Sequence, residues 1–331
     1  MKNYYARQDL AALNASTEIL TSLDGSRSSN ACGLPSGCPI YYIRSIIVSK
    51  ALAISKVIRR TLVSTFKNAK TERPFVFLSS GADSNCLLFA ALEAGKQPVT
   101  LSFHMEGTIS RDFRQAQATA KLFNVPFIEV VLPTNVETLK KECILLAKKY
   151  GCRSKSDFEC VWPMYHAFRA VAKYAKKHKI ASPTIYTGHA ADIYYVLSKK
   201  GNMHYKDRPD DYRNERFVDP KLSQRHILPS IASDLEISNE IPWVDKKILK
   251  SFQGASIADV NKPRQKEPSR LAFDSYFSQT KVYQHTNFQL GDSGISKHFE
   301  VLLSDPEWNP DNKFRAVIGV YNELCRRLGV A

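Results

Sequence analysis

Short runs of consecutive apolar residues alternate along this chain with stretches in which apolar positions recur every three or four residues. From Ile46 to Phe66 the positions Ile47, Ala51, Ile54, Val57, Ile58 and Leu62 keep helical spacing, Arg59 and Arg60 face outward, and Pro74 ends the segment. Phe75-Val76-Phe77-Leu78 then reads as a strand buried on both faces. Asn85 to Glu93 returns to the helical period, and Gly95 and Pro98 break the chain before a second strand from Val99 to Phe103. A helix from Asp112 to Phe123, a strand from Phe127 to Leu132, a helix from Val136 to Tyr150, another near Val161 to His178 and a fourth strand from Thr184 to Thr187 follow. Such alternation implies βαβ units with right-handed crossovers, so the fold class expected is α/β, a parallel twisted sheet with helices on both faces.

Beyond about residue 230 the pattern becomes mainly helical, with no strong strand and no internal repeat. Residues 1 to 40 are rich in Ser, Gly, Asn and Pro, notably between Gly25 and Gly37, and read as loop. The expected division is 1–70 for a loop-rich leading segment and helix, 71–230 for the α/β domain, and 231–331 for a mainly helical region completing the active site. The apolar stretch from Ile40 to Ile54 is short for a membrane span and is interrupted by Arg44, Ser49 and Lys50. No apolar secretory core follows Met1-Lys2, so a cytoplasmic protein is expected.

Composition narrows the chemistry. The 331 residues are 44% hydrophobic, enough for a large core. Seven scattered cysteines suit reduced thiols, and the Cys32/Cys38 and Cys152/Cys160 spacings are wider than a zinc knuckle. Lys and Arg outnumber Asp and Glu by 47 to 32, a net charge of +15 that favours an anionic ligand or nucleic acid. The excess is spread over pairs such as Lys140-Lys141 and Lys176-Lys177, read as solvated helix faces, and it sets attraction rather than chemistry. Tyr194-Tyr195 reads as packing.

The chemistry sits in Ser79-Ser80-Gly81-Ala82-Asp83-Ser84, small residues at a sharp turn from the first strand into a helix. Free amides, the positive end of a helix dipole and serine hydroxyls converge there on an anion. The position is the carboxyl edge of a parallel strand, where open α/β sheets place ligands. A carboxylate beside phosphates repels them unless magnesium lies between, so Asp83 reads as a metal ligand. No GxxxxGK[ST] sequence is present, which excludes a kinase-type phosphate loop.

This loop resembles the SGGxDS signature of the PP-loop ATP pyrophosphatases, and among them most the synthetase domain of asparagine synthetase. The likeness spans roughly residues 50 to 270. It continues through the strand ending in Met105-Glu106-Gly107, through Thr187-Gly188-His189-Ala190-Ala191-Asp192, similar to a GEGxDE segment, and through Lys262 to Lys266, similar to a late RxK segment. The resemblance implies an adenine nucleotide alpha hydrolase-like fold that uses ATP and Mg2+. It implies that Ser79, Ser80, Gly81, Asp83 and Ser84 hold pyrophosphate, with Gly188 in the nucleotide site and Asp83 and Asp192 flanking magnesium. Leu78 and Met105 are then expected to border adenine, and Lys266, on a late loop that fits a closing lid, to stabilise charge on the phosphates. Ser80 stands where the signature has its first Gly, tolerable if its φ is ordinary. His189 replaces the first acidic residue of GEGxDE, Ala190 its second Gly and Ile193 its last acid; a neutral imidazole can take a proton near pH 7.

The implied activity is an AMP-forming carbon–nitrogen ligase: a small-molecule carboxylate is adenylated and ammonia or an amine displaces AMP. Asparagine synthetases carry an N-terminal glutaminase, absent from this sequence, so a separate glutaminase subunit is a possible partner. Two rival readings are a PP-loop enzyme that adenylates a base carbonyl of tRNA or DNA, and a non-catalytic nucleotide-binding scaffold.

Overall fold

The computed structural model describes residues 39–284 and 291–330, with side chains described from Lys50 onward except at residues 199, 200 and 223. The readings made for residues 1 to 38, including Cys32 and Cys38, lie outside the described residues, as do residues 285–290 of the loop-rich stretch near Gly294. Helix α1 (Pro39–Lys67) leads into β1 (Phe75–Phe77), α2 (Ala82–Glu93), β2 (Val99–Met105), α3 (Arg111–Leu122), β3 (Phe127–Leu132), α4 (Val136–Tyr150), α5 (Lys155–Lys177) and β4 (Thr184–Tyr186). Short helices α6 (Asp192–Tyr195), α7 (Lys199–His204), α8 (Pro209–Val218) and α9 (Leu228–Asp234) precede β5 (Ser238–Glu240). Then come α10 (Lys246–Phe252), α11 (Ile257–Asn261), α12 (Glu267–Ala272), α13 (Asp274–Phe277), α14 (Ile295–Phe299) and α15 (Val317–Arg327). The residues from Arg44 to Ala331 cluster as one unit.

The five strands form one sheet in the order β3-β2-β1-β4-β5, and every pairing is parallel. Side-chain alternation divides the core. Val99, Leu101, Phe103 and Met105 of β2 point into a cluster with Leu139 and Leu146 of α4 and Trp162 and Phe168 of α5. Val76, Leu78 and Tyr186 point the other way, into a cluster with Ile58 and Leu62 of α1 and Leu87 and Phe89 of α2. Helices therefore cover both faces, as the apolar strand runs require. No described helix is long and apolar enough to cross a membrane.

Three boundaries differ from the sequence reading, each for a local reason. Helix α2 begins at Ala82 rather than Asn85, because Gly81 takes the extended cap conformation (φ −78°, ψ 154°), which puts Asp83 and Ser84 in the first helical turn. Helix α5 begins at Lys155 rather than Val161: Ser154 and Asp157 form a reciprocal capping box, and the helix continues through Pro163. The reading of the chain beyond residue 230 as free of strands is corrected by β5, whose Ser-Asn-Glu sequence holds its edge place by backbone pairing with β4 rather than by apolar burial. Lys140 is also corrected. It is buried rather than solvated, and its ammonium joins Glu307 at 2.5 Å and Asp305 at 3.1 Å, tying α4 to the C-terminal segment.

A buried cation organises the segment that leads to Lys266. Arg213 of α8, fully buried, donates to the carbonyls of Tyr194 (3.0 Å), Phe252 (2.9 Å) and Ala255 (2.7 Å) and to Asp210 (2.6 Å). It thus joins α6, α8 and the end of α10. Replacing it with Leu leaves the Tyr194 and Ala255 carbonyls without the donor it supplies, while Phe252 O keeps the Ala255 amide, so R213L should lose about 2 kcal/mol or more of unfolding free energy. Urea denaturation checks this, and an unchanged midpoint would contradict it.

Candidate functional site

The order β3-β2-β1-β4-β5 places a topological switch between β1 and β4: the chain leaves β1 toward β2 and returns on its other side with β4. The loops after these two strands flank the crevice where open α/β sheets bind ligands. A cavity of about 380 Å³ lies there, lined by Ser79 to Ser84, by Thr187 to Ala190, by Asp192 and by Lys266. The phosphate loop, the segment after β4 and the late Lys266 are thus in one wall.

The loop is braced from within. Ser84 Oγ accepts from Ser79 N at 3.0 Å and lies 2.8 Å from Ser79 Oγ, while Asn85 Nδ2 donates to the carbonyls of Ser79 (2.9 Å) and Gly81 (2.7 Å). Ser80 is not among the residues with positive φ, so a side chain is accommodated there without backbone strain. Its amide donates to Asp112 Oδ1 at 2.8 Å, and its hydroxyl bonds the same oxygen. Asp112, read from sequence only as the start of a helix, is therefore a buttress of the loop; burial raises its pKa, and the Ser80 hydrogen bonds act against that rise. With these amides engaged inside the loop, the first-turn amides of α2 have no partner within the helix and lie beside the cavity that Ala82, Asp83 and Ser84 line.

Lys266 lies at the N-terminus of α12 in the left-handed region (φ 59°), 4% exposed, with its amide bonded to Asn261 Oδ1 at 3.2 Å. Its ammonium bonds Asp83 Oδ2 and, at 2.5 Å, Asp192 Oδ1, joining residues 183 and 74 positions apart. Burial by itself lowers the lysine pKa, but Asp192 and Asp83 outweigh burial and the net shift is upward. The ammonium also lies 5.7 Å from the Tyr195 ring centre, and Tyr195 meets Ser269 at 2.5 Å. Trp243, fully buried, donates from Nε1 to Asp83 O at 3.4 Å.

The segment after β4 explains its small residues. A Cβ on Gly188 falls 3.0 Å from Ser84 N and 3.3 Å from Asp83 C and Cβ, so glycine permits the closest approach of the two loops. Ala190, in the place of the signature's second Gly, has φ 68°, a conformation that glycine adopts without the cost a Cβ imposes. His189 is partly buried, with Nδ1 3.0 Å from Thr187 Oγ1. Burial lowers its pKa to about 4, only partly offset by Asp192, so the imidazole is neutral at pH 7.

Leu78 and Met105 are the residues expected to border adenine. Both are buried in the core, Leu78 on the opposite face of β1 from Phe77, and neither lines the cavity. Phe77 and Phe103 line it instead, with ring centres 5.5 Å apart, facing Cys160 and Met164 of α5. Phe77 and Leu78 are consecutive, so the strand period turns only one of them to the cavity, whereas Phe103 and Met105 share one face of β2 and differ in their place along the strand. Tyr283 also reaches the loop, its amide donating to Ser80 O at 3.2 Å, and Asp292 accepts from Arg111 N at 2.6 Å.

The fold and site define an α/β protein with a small-residue turn after β1 and two carboxylates joined by one lysine at the switch point of a parallel sheet. No family of known proteins matches the sequence, and no curated relative matches it. Among solved structures it is similar to the U34-tRNA thiolase NcsA from Methanococcus maripaludis with its [4Fe-4S] cluster (14% identity, 92% of this chain and 89% of that one, TM-score 0.30). It is also similar to NMN synthetase from Francisella tularensis (15%, 71% and 99%, TM-score 0.33). A third is glutamine-dependent NAD+ synthetase from Acinetobacter baumannii in complex with ADP (13%, 78% and 49%, TM-score 0.27). Likeness at this level decides no activity.

Two outcomes follow from the geometry. Gly188→Ala should push the loops apart, lowering stability by about 1–3 kcal/mol, measured by urea denaturation. Because the folded pKa of His189, about 4, lies below its ordinary 6.5, its contribution to stability is complete above pH 6.5 and is lost as pH falls from 6.5 to 4. The drop in urea midpoint between pH 7.5 and 4.5 should therefore shrink in H189Q; an equal drop in both proteins removes His189 as its source.

Proposed function

We propose that this chain is an ATP-dependent, AMP-forming ligase of the PP-loop kind, asparagine synthetase-like, that joins a carboxylate to ammonia or an amine. The convergence of Asp83, Asp192 and Lys266 on the anion loop carries this reading. ATP binds with its phosphates over Ser79, Ser80, Gly81 and Ser84, held by the first-turn amides of α2 and the serine hydroxyls. The substrate carboxylate attacks the α-phosphorus, and the bond to pyrophosphate breaks. Lys266, already positioned by two carboxylates, lies where charge grows on the departing pyrophosphate. Ammonia or the amine then attacks the acyl carbon and AMP leaves. His189, neutral and beside Asp192, is the group placed to take the nucleophile's proton as positive charge develops.

Magnesium fits the residues present. Two hard carboxylates converge on a single ammonium, which leaves a local excess of negative charge, and among the described residues no group of three or more His, Cys, Asp or Glu side chains could hold a metal unaided. Asp83 and Asp192 would hold an ion that arrives with the phosphates, and when bound it neutralises phosphate charge. The region 231–331, which supplies Lys266, is proposed as the part that completes the site. The ammonia source is proposed to be free ammonia or a separate glutaminase subunit, and the compartment the cytoplasm.

The net charge of +15 favours a second reading, in which the adenylated oxygen is a base carbonyl of tRNA or DNA. One assay separates the two: magnesium and ATP with pools of amino acids, ammonium, tRNA or DNA, followed by separation of the nucleotides. AMP and pyrophosphate with a carboxylate and an amine support the ligase, and the same products with nucleic acid alone support the second reading. Asp83→Asn should reduce turnover by about 100-fold or more. ADP as the product would sink both readings.

A further inference from the structure

Lys266 and Arg270 are the Lys and Arg side chains that line the cavity among the described residues, one helical turn apart at the start of α12. Lys266 is committed to Asp83 and Asp192. Arg270 has a different situation. Its Nε donates to Gln265 O at 3.1 Å, which fixes the plane of the guanidinium, and its two terminal nitrogens have no hydrogen-bond or ion-pair partner among the described residues. The carboxylate nearest in sequence, Glu267, is taken by both Nε and Nη2 of Arg264, at 2.9 and 3.0 Å. Burial and the Arg264 charge hold the Arg270 pKa below its ordinary value, against the upward pull of Glu267, Cys86 and Asp83.

The acidic lining of the cavity needs such a cation. Asp83, Asp112 and Asp192 line the phosphate end of the cavity against Lys266, so an arriving pyrophosphate group meets more carboxylate than ammonium. A guanidinium fixed at Nε presents its terminal nitrogens as a fork that matches two oxygens of a phosphate. We propose that Arg270 is the second cation of the site, a bidentate clamp on the pyrophosphate end of the nucleotide. This assignment rests on the nucleotide reading above and adds to it the residue that supplies the missing positive charge.

Calorimetric binding of inorganic pyrophosphate, ATP and AMP to the unmodified chain, R270K and R270Q tests it. In R270Q, pyrophosphate and ATP should bind at least about tenfold more weakly while AMP changes by less than about threefold; R270K, which keeps the charge but not the fork, should fall between. Thermal unfolding shows whether R270Q is folded, and if it is not, R270K carries the comparison. Pyrophosphate affinity within about twofold of the unmodified chain in a folded R270Q overturns the clamp, as does equal weakening of AMP. If the unmodified chain binds pyrophosphate and R270Q does not, the clamp stands even where ATP is not turned over, and only the ligase reading falls. If the unmodified chain binds neither pyrophosphate nor ATP, both fall.

Discussion

The ammonium of Lys266 between Asp83 and Asp192 is the interaction on which the site depends. A buried lysine is costly unless paired, and removing either partner leaves an uncompensated charge in a low-dielectric place. The pairing therefore fixes three segments against one another: the first turn of α2, the first residue of α6 and the left-handed residue ahead of α12. The sheet makes this possible by placing β1 beside β4, so that the loops leaving both strands open into the same crevice. Arg213 and Asn261 complete the arrangement, the one joining α6 and α8 to the end of α10, the other bonding Tyr195 O and the Lys266 amide.

Acid and base in the cavity are matched in part within the fold. Asp112 is engaged by Ser80 and Asp83 by Lys266, so both carboxylates have structural work of their own. An anion entering the cavity meets their charge, and Lys266 and Arg270, which also line it, are the cations that can offset it.

Around His189 the chain departs from the signature it resembles, and the structure gives the departures a physical form. A carboxylate replaced by imidazole removes one negative charge from the crevice, and burial keeps that imidazole uncharged. Ala190 holds a positive φ that costs more for alanine than for glycine, while Gly188 keeps a contact that an added Cβ would crowd, 3.0 Å from Ser84 N. The backbone path is thus retained where contact demands it and carries strain where only conformation does.

The sequence by itself determined the strands β1 to β4, because runs such as Phe75-Val76-Phe77 can be buried only between two helical layers, and it determined the sharp turn of small residues from β1 into α2, because Gly81 there takes the extended cap conformation. It also held the order of the segments that meet at Lys266. Tertiary structure decided the rest. It made a strand of Ser238–Glu240, whose polar residues are held by backbone pairing with β4. It turned Phe77 rather than its neighbour Leu78 toward the cavity, and it set Phe103 but not Met105, two residues on along the same face of β2, in the lining, since the positions that border the cavity depend on where α5 packs. It gave Asp112 to Ser80 and left Arg270 facing the cavity, contacts between residues far apart in sequence whose partners no local pattern specifies, because hydrogen bonds and ion pairs follow from proximity in space rather than from spacing along the chain.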